Sequence, residues 1–61
     1  SESAYTVLGV SVDDDYKTSQ KKYRALVKQF HPDLNRDRIK LATEITQKLN
    51  NAWETVEEWK K

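Results

Sequence analysis

The sequence predicts an all-α fold in which a short first helix precedes an antiparallel pair of longer helices. Two long stretches carry apolar residues at helical spacing, and no stretch shows the alternation of a half-buried strand. The single Gly and the single Pro fall between the apolar stretches, where each acts as a break. The connection between the two longer helices is short, which favours antiparallel packing.

The first predicted helix covers residues 3–8. Tyr5 and Leu8 are three residues apart, as one or two helical turns require. Ser3 is a residue that caps helix starts, because its side-chain oxygen accepts from a free backbone N–H group. Gly9 stands where a left-handed residue commonly ends a helix.

The second helix is predicted from Ser11 to Phe30. Ser11 and Asp14 form a Ser-x-x-Asp pattern that is typical of helix starts. The aspartates at 13–15 would then place negative charge in the first turn, where the helix dipole favours it. Pro32 predicts the end, since the residue before a proline avoids the helical region. The apolar positions that share one face are Tyr16, Tyr23, Leu26, Val27 and Phe30.

The third helix is predicted from Asp37, as a possible N-cap, to Lys60. Its apolar positions recur at i, i+3, i+4 and i+7, which indicates one buried face. This spacing predicts core packing rather than ligand binding for the two tryptophans, with the second nearer the end of the helix. The stripe consists of Leu41, Ala42, Ile45, Leu49, Ala52, Trp53, Val56 and Trp59.

Sixty-one residues make one domain at most, which we assign to residues 1–61. A chain of this length buries only about 60% of the surface that its unfolded form exposes. With no cysteine and one histidine, neither disulfides nor a metal is expected to support the fold, so helix packing remains. The chain starts at Ser1 rather than at Met, and we therefore expect a piece of a longer protein. We expect no cofactor and a monomeric state.

No apolar run approaches the roughly 20 residues needed to cross a bilayer, so we expect no membrane contact by this segment. Charged residues make up 34% of the chain, yet the formal net charge is only +1. This balance is not typical of a nucleic-acid binder. Any electrostatic function must therefore come from where the charges lie.

Four cations of the second helix form a basic stripe: Lys17, Lys21, Arg24 and Lys28. At about 100° per residue they fall within about 60° of arc, roughly 130° from the apolar face, so they should face solvent. Two interpretations stay open. The stripe is either an ordinary solvated face or a surface that attracts an acidic partner. The partner would be an acidic protein groove or a phosphate backbone, and charge alone does not choose between them.

The tripeptide His31-Pro32-Asp33 follows the basic stripe in a loop. We expect neither an enzyme nor a small-molecule substrate, because a general base needs a partner group and a cleft, and the sequence offers neither. One histidine with scattered aspartates does not make a convincing metal site. The tripeptide is then either a simple helix stop or a rigid, exposed contact at the end of the stripe.

Three ordered motifs resemble those of J-domains. The segment Tyr5-Thr6-Val7-Leu8-Gly9-Val10 is similar to the opening motif of that family. Tyr23-Arg24-Ala25-Leu26, with Lys28, Phe30 and His31-Pro32-Asp33, resembles the second helix and its diagnostic loop. Asn51-Ala52-Trp53 resembles a stretch of the third helix. The resemblance covers residues 4 to about 58.

The resemblance implies a module that docks on a DnaK-type ATPase chaperone and stimulates its ATP hydrolysis. In the family, the basic second helix contacts an acidic surface of the chaperone, and Asp33 would make the charged contact that triggers hydrolysis. His31 and Pro32 would shape the loop. We also expect a cytoplasmic or cytoplasm-facing location. The implied helix contacts are Arg24 and Lys28, with Lys17 and Lys21 extending the stripe and Tyr23 beside it. The alternative is a small three-helix module that binds nucleic acid through the stripe.

Several residues depart from the family pattern. Leu34 stands where Lys or Arg usually follows the tripeptide, and the second helix has Ser19 and Lys22 where an aliphatic residue and alanine are common. A phenylalanine of the third helix falls on Thr46 or Ile45, depending on the register. These positions bear on partner affinity and choice. The short ending after the third helix is similar to the DjlA-like branch.

Overall fold

The computed structural model describes residues 3–60, which form three α-helices and two single-turn 3₁₀ helices. The α-helices are α1 (Ala4–Leu8), α2 (Tyr16–Phe30) and α3 (Ile39–Lys60). The 3₁₀ turns, Pro32–Leu34 and Arg36–Arg38, lie between α2 and α3. No strand occurs in the described range, and the predicted all-α fold is confirmed. Within the same range, no helix is both long and apolar enough to cross a membrane.

Hydrogen bonds between α2 and α3 show that the two helices run antiparallel. At the start of α2, the Tyr16 hydroxyl donates to the Glu57 carboxylate over 2.6 Å, and this bond raises the pKa of Tyr16. In the middle, the Tyr23 hydroxyl donates to the side-chain oxygen of Asn50. Near its end, α2 meets Thr46 of α3 through the Phe30 carbonyl. Each step forward along α2 thus meets a step backward along α3.

The predicted limits of α1 are confirmed. The Ser3 hydroxyl oxygen accepts from the Thr6 backbone N–H over 3.2 Å. Gly9 ends the helix with a φ of +66°, a conformation that side chains rarely adopt. The N–H groups of Gly9 and Val10 then bond to the carbonyls of Thr6 and Tyr5, which satisfies the last turn.

The predicted start of α2 at Ser11 is wrong, because the helix begins at Tyr16 with Asp15 as its N-cap. The Asp15 carboxylate accepts from the Thr18 N–H over 2.8 Å, and this bond lowers the pKa of Asp15. The Ser11–Asp14 pattern does form its bonds, but they close a turn instead of a helix. The same local hydrogen bonds occur in a turn and at the start of a helix. The helix begins after Asp15, the capping residue that directly precedes the apolar residue Tyr16.

The predicted start of α3 at Asp37 is also wrong. Asp37 lies inside the second 3₁₀ turn, which begins when the Arg38 N–H bonds to the Asn35 carbonyl over 2.9 Å. The α-helical hydrogen bonding therefore begins later, at Ile39, and continues to Lys60 as predicted.

The core lies on α3, against which α1 and α2 both pack. Trp53 is buried as predicted, with its ring stacked on Tyr23 at 5.0 Å between centroids and 7° between planes. The Tyr16 ring lies 5.5 Å from Trp53 on the same side. Burial of a large aromatic ring among others adds about 0.5–1.5 kcal/mol beyond the area term. The buried cluster comprises Leu8, Val10, Leu49, Ala52, Trp53 and Val56.

Two members of the predicted apolar stripe lie outside the core. Leu41 is 49% exposed and Trp59 is 60% exposed. The Trp59 ring stacks on Tyr5 of α1, with 5.4 Å between ring centroids. Beside it, the Lys60 ammonium lies over the Tyr5 ring and donates to the carbonyls of Val12 and Asp14. Through these contacts the end of α3 packs against α1 and bonds to the segment between α1 and α2.

Ser19 is a polar residue on the packed face of α2. It is 0% exposed, and its hydroxyl oxygen has no hydrogen-bond partner among the described residues. A buried hydroxyl without a partner carries an uncompensated desolvation cost. Ser19 is one of the positions that depart from the family pattern, and the consequence of this departure is a buried hydroxyl without a partner among the described residues.

Ser19→Ala should therefore raise the stability of the chain. Removing the unpartnered hydroxyl is expected to raise the free energy of unfolding by about 1 kcal/mol. For a domain of this size that gain corresponds to an increase in Tm of roughly 4–8 °C. Thermal melts followed by circular dichroism measure the shift.

The control separates this gain from the higher helix propensity of alanine. Thr43 is exposed in the body of α3, so Thr43→Ser and Thr43→Ala give the serine-to-alanine difference at a solvated position. A gain at position 19 no larger than this difference would show that burial of the hydroxyl costs nothing.

Candidate functional site: the His-Pro-Asp loop and the basic face of α2

The segment His31-Pro32-Asp33 joins the end of α2 to the first 3₁₀ turn. His31 has extended backbone angles (φ −62°, ψ 136°), as expected for a residue that precedes proline. Pro32 then opens the turn, where its fixed φ and missing N–H group cost nothing. Two backbone bonds close the turn, from Leu34 to the His31 carbonyl and from Asn35 to the Pro32 carbonyl.

The His31 imidazole caps this turn from within the loop. Its Nδ1 atom accepts from the Asp33 backbone N–H over 3.2 Å. An imidazole nitrogen accepts only when it carries no proton, so this bond assigns the proton of the neutral ring to Nε2. His31 therefore fixes the conformation of the residue on which the charged contact would depend.

Asp33 presents its carboxylate to solvent. The side chain is 83% exposed, and no lysine or arginine among residues 3–60 lies within 4.0 Å of its carboxylate, whose Oδ2 is 3.7 Å from the His31 Nδ1 atom. A carboxylate held on a closed turn yet open to solvent is suited to accept hydrogen bonds from a guanidinium of another protein. The backbone positions this carboxylate, because its own side chain makes no hydrogen bond with residues 3–60.

Asn35 and Thr46 secure the loop to the end of α2, and the sequence analysis missed both roles. The Asn35 side-chain amide donates to the carbonyls of Gln29 over 3.2 Å and His31 over 2.9 Å. The Thr46 hydroxyl donates to the Phe30 carbonyl over 3.3 Å. The last carbonyls of a helix lack partners within it, and these side chains supply them. An asparagine after a turn is a usable sequence signal. Thr46 offers none, since it reaches Phe30 only through the packing of α3.

The basic stripe is exposed along α2. All four cations of the stripe (Lys17, Lys21, Arg24 and Lys28) are exposed, and within residues 3–60 none has a carboxylate within 4.0 Å. The adjacent Lys22 differs, since its ammonium lies 2.8 Å from Asp14 Oδ2. This bond is the main reason that the pKa of Asp14 is lowered. The stripe thus presents four cations without an ion pair among residues 3–60.

Tyr23 lies half-buried beside the stripe, and its described contacts are with α3. Its ring stacks on Trp53 and its hydroxyl is bonded to Asn50, so both parts of the side chain face α3. The tripeptide and the four cations form the more exposed part of the candidate site, and a contact of Tyr23 with the partner stays a prediction. Tyr23 supports it from beneath by holding α2 against α3.

Comparison with known proteins places the chain in a family. The sequence model of the DnaJ domain matches residues 3–61. The chain belongs to the DnaJ domain family. The J-domain resemblance of the three motifs is thereby confirmed. No significant match was found among solved structures.

Individual relatives agree with this family. The co-chaperone protein DjlA of Pasteurella multocida is 36% identical over 61 aligned positions, covering 90% of this chain and 21% of that protein. The chaperone protein DnaJ of Limosilactobacillus reuteri is 39% identical, covering 93% of this chain and 14% of that protein. In Halothermothrix orenii, the chaperone protein DnaJ is 49% identical over 37 residues, 61% of this chain and 10% of that protein. The chain thus spans about a fifth or less of these relatives.

Asn35→Asp should destabilise the loop, because the Asn35 amide bonds to carbonyls at the end of α2. An aspartate keeps the size of the side chain but cannot donate to the carbonyls of Gln29 and His31. We expect a loss of about 1 kcal/mol in the free energy of unfolding. Amide hydrogen exchange should also quicken in residues 33–35, whose N–H groups are bonded within the loop. Asn51→Asp is the matched control, because Asn51 is exposed on α3. Equal effects of the two changes would contradict the capping role.

Proposed function

We propose that this chain is a co-chaperone module that binds a DnaK-type chaperone and stimulates its ATP hydrolysis. The observation that carries the proposal is the DnaJ-domain match over residues 3–61, in a chain whose His-Pro-Asp loop exposes an aspartate. The names of these relatives, co-chaperone and chaperone, support the same role. The chemistry of hydrolysis belongs to the partner, and this chain acts by docking.

Asp33 is the proposed trigger contact. A carboxylate pairs with a guanidinium through two parallel hydrogen bonds, and this geometry is sensitive to small displacements. The His31 cap and the closed 3₁₀ turn support this role, since they fix the backbone from which the carboxylate extends. Such preorganisation lowers the entropy lost on docking. Asn35 contributes in the same way by tying the loop to α2.

The basic stripe is the proposed attracting surface. Unneutralised charges of one sign steer an acidic partner and raise its association rate. The four cations run the length of α2, which ends at the loop, so the stripe would guide the same partner toward Asp33. Single cations at the rim of an interface contribute mainly to rate, whereas a buried charge pair contributes to the lifetime of the complex.

Asp33→Asn should abolish stimulation while leaving the fold intact. The amide keeps the size of the side chain but loses the negative charge and one of the two oxygens that can accept hydrogen bonds. Loss of one partner from a desolvated charge pair costs about 2–5 kcal/mol, so stimulation should fall by more than about tenfold. His31→Gln should have the same effect, because Asp33 loses its positioning cap. Single-turnover ATP hydrolysis by a DnaK-type chaperone, with and without the chain, is the measurement.

Asp37→Asn is the matched control for this experiment. Asp37 lies four residues further along, is 82% exposed, and undergoes the same change of charge. It should stimulate like the parent, and the thermal melts of all variants should stay close together. Stimulation by Asp33→Asn equal to that of the parent would remove Asp33 from the mechanism. A parent chain that stimulates no DnaK-type chaperone would overturn the proposed function.

Lys21→Gln should slow docking with a smaller effect on the lifetime of the complex. Removal of one stripe cation is expected to lower the association rate and to weaken its dependence on salt. Lys22→Gln carries the same change of charge one residue away, but Lys22 is paired with Asp14 and lies off the stripe. The measurement is the association and dissociation rate of each variant on immobilised chaperone, at two salt concentrations. Equal losses in both would mean that total charge, rather than the stripe, attracts the partner.

A further inference from the structure

A small pocket lies between the end of α2 and the start of α3. Its volume is about 100 Å³, and its lining residues are Phe30, Asn35, Arg38, Leu41, Ala42 and Ile45. The pocket adjoins the His-Pro-Asp loop, because Asn35 bonds to the His31 carbonyl and Phe30 immediately precedes His31. Any protein that contacts Asp33 is therefore brought close to this pocket.

The pocket is apolar and incompletely covered. Leu41 is 49% exposed, although it belongs to the apolar stripe of α3, and the Phe30 and Ile45 side chains are half-buried. Apolar side chains that remain open to solvent within a concave surface are typical of contact sites. The volume of the pocket is about 100 Å³. That space suits one apolar side chain, whereas pockets for small molecules usually measure about 300–1,000 Å³.

The rim of the pocket is positively charged. Arg38 lines it with a side chain that is 73% exposed, and its ion-pair partner among residues 3–60 is its own neighbour Asp37, at 3.8 Å. Arg38 gives the rim the same sign as the basic stripe, so the rim fits an acidic partner.

We propose that the pocket receives one apolar side chain of the acidic chaperone that docks on the loop, while Arg38 pairs with a carboxylate beside that side chain. This inference rests on the proposed function and adds a second contact to it. The loop supplies the charged contact through Asp33, and the pocket supplies an apolar anchor next to it. An apolar anchor with a charged rim is a common arrangement at the centre of an interface.

A larger groove between α1 and α2 fits such an occupant less well. It has a volume of about 440 Å³ and is lined mainly by Val7, Leu8, Ala25 and Leu26. The cation at its edge, Lys22, is already paired with Asp14. Lys22 is 44% exposed and 2.8 Å from its carboxylate, whereas Arg38 is 73% exposed and 3.8 Å from its own, so the pocket beside the loop offers the more available cation to an acidic partner.

Leu41→Ser tests the pocket, with Ile39→Ser as its matched control. Both residues lie in the first turn of α3 and are about half exposed, but only Leu41 lines the pocket. The measurement is the concentration of the chain that gives half-maximal stimulation of single-turnover ATP hydrolysis by a DnaK-type chaperone. Loss of an apolar anchor should raise this concentration about fivefold for Leu41→Ser. The maximal stimulation should stay unchanged, since Asp33 is intact.

Ile39→Ser should behave like the parent. Arg38→Gln should also raise the half-maximal concentration, whereas Arg36→Gln, the same change outside the pocket, should raise it less. Equal behaviour of Leu41→Ser and the parent would overturn the pocket and leave the proposed function standing. Equal losses in Leu41→Ser and Ile39→Ser would also overturn it, because general apolarity would then explain both. A parent without stimulation would overturn both proposals.

A second copy of the chain is the competing occupant. Size-exclusion chromatography with light scattering, on the parent and on Leu41→Ser, tests it. A parent dimer that Leu41→Ser converts to a monomer would assign the pocket to self-association and overturn the inference. A monomer in both cases supports it.

Discussion

The packing of Trp53 of α3 against Tyr23 and Tyr16 of α2 is the contact on which the rest of the structure depends. In a chain this small, few side chains are large enough to bury a substantial apolar area, and no disulfide assists them. The stacked rings hold α2 at a fixed distance from α3. They therefore fix the direction in which the exposed face of α2 points. The basic stripe faces solvent because the opposite face of the same helix is committed to these rings.

The same constraint acts on the loop. Since α2 and α3 are antiparallel and closely packed, Thr46 reaches the last turn of α2 and bonds to the Phe30 carbonyl. Asn35 completes the capping of that end, and His31 closes the turn that bears Asp33. A chain of polar contacts thus runs from the helix pair to one exposed carboxylate. The position of Asp33 thus depends on the packing of α3 against α2, and the functional proposal relies on that position.

Much of this arrangement was predictable because it depends on local rules. The spacing of apolar residues identified both long helices, and the Ser3 cap and Gly9 stop of α1 were predicted correctly. The starts of α2 and α3 were wrong for a common reason. Ser11 and Asp37 are good capping residues, yet each lies in a turn, because the apolar contacts that sustain a helix begin several residues later. Local hydrogen bonds do not distinguish a turn from the first turn of a helix.

By itself, the sequence determined the helical class, the cationic stripe and the tripeptide with its family resemblance, because periodicity, charge and motif order are properties of the chain. The tertiary structure alone decided which of these residues meet. It turned Tyr23 inward to Trp53, left Leu41 and Trp59 exposed, and buried the unpartnered hydroxyl of Ser19. It also formed the pocket beside the loop from residues on α2, the loop and α3. These outcomes depend on distances between segments that are remote in sequence, and no local pattern encodes such distances.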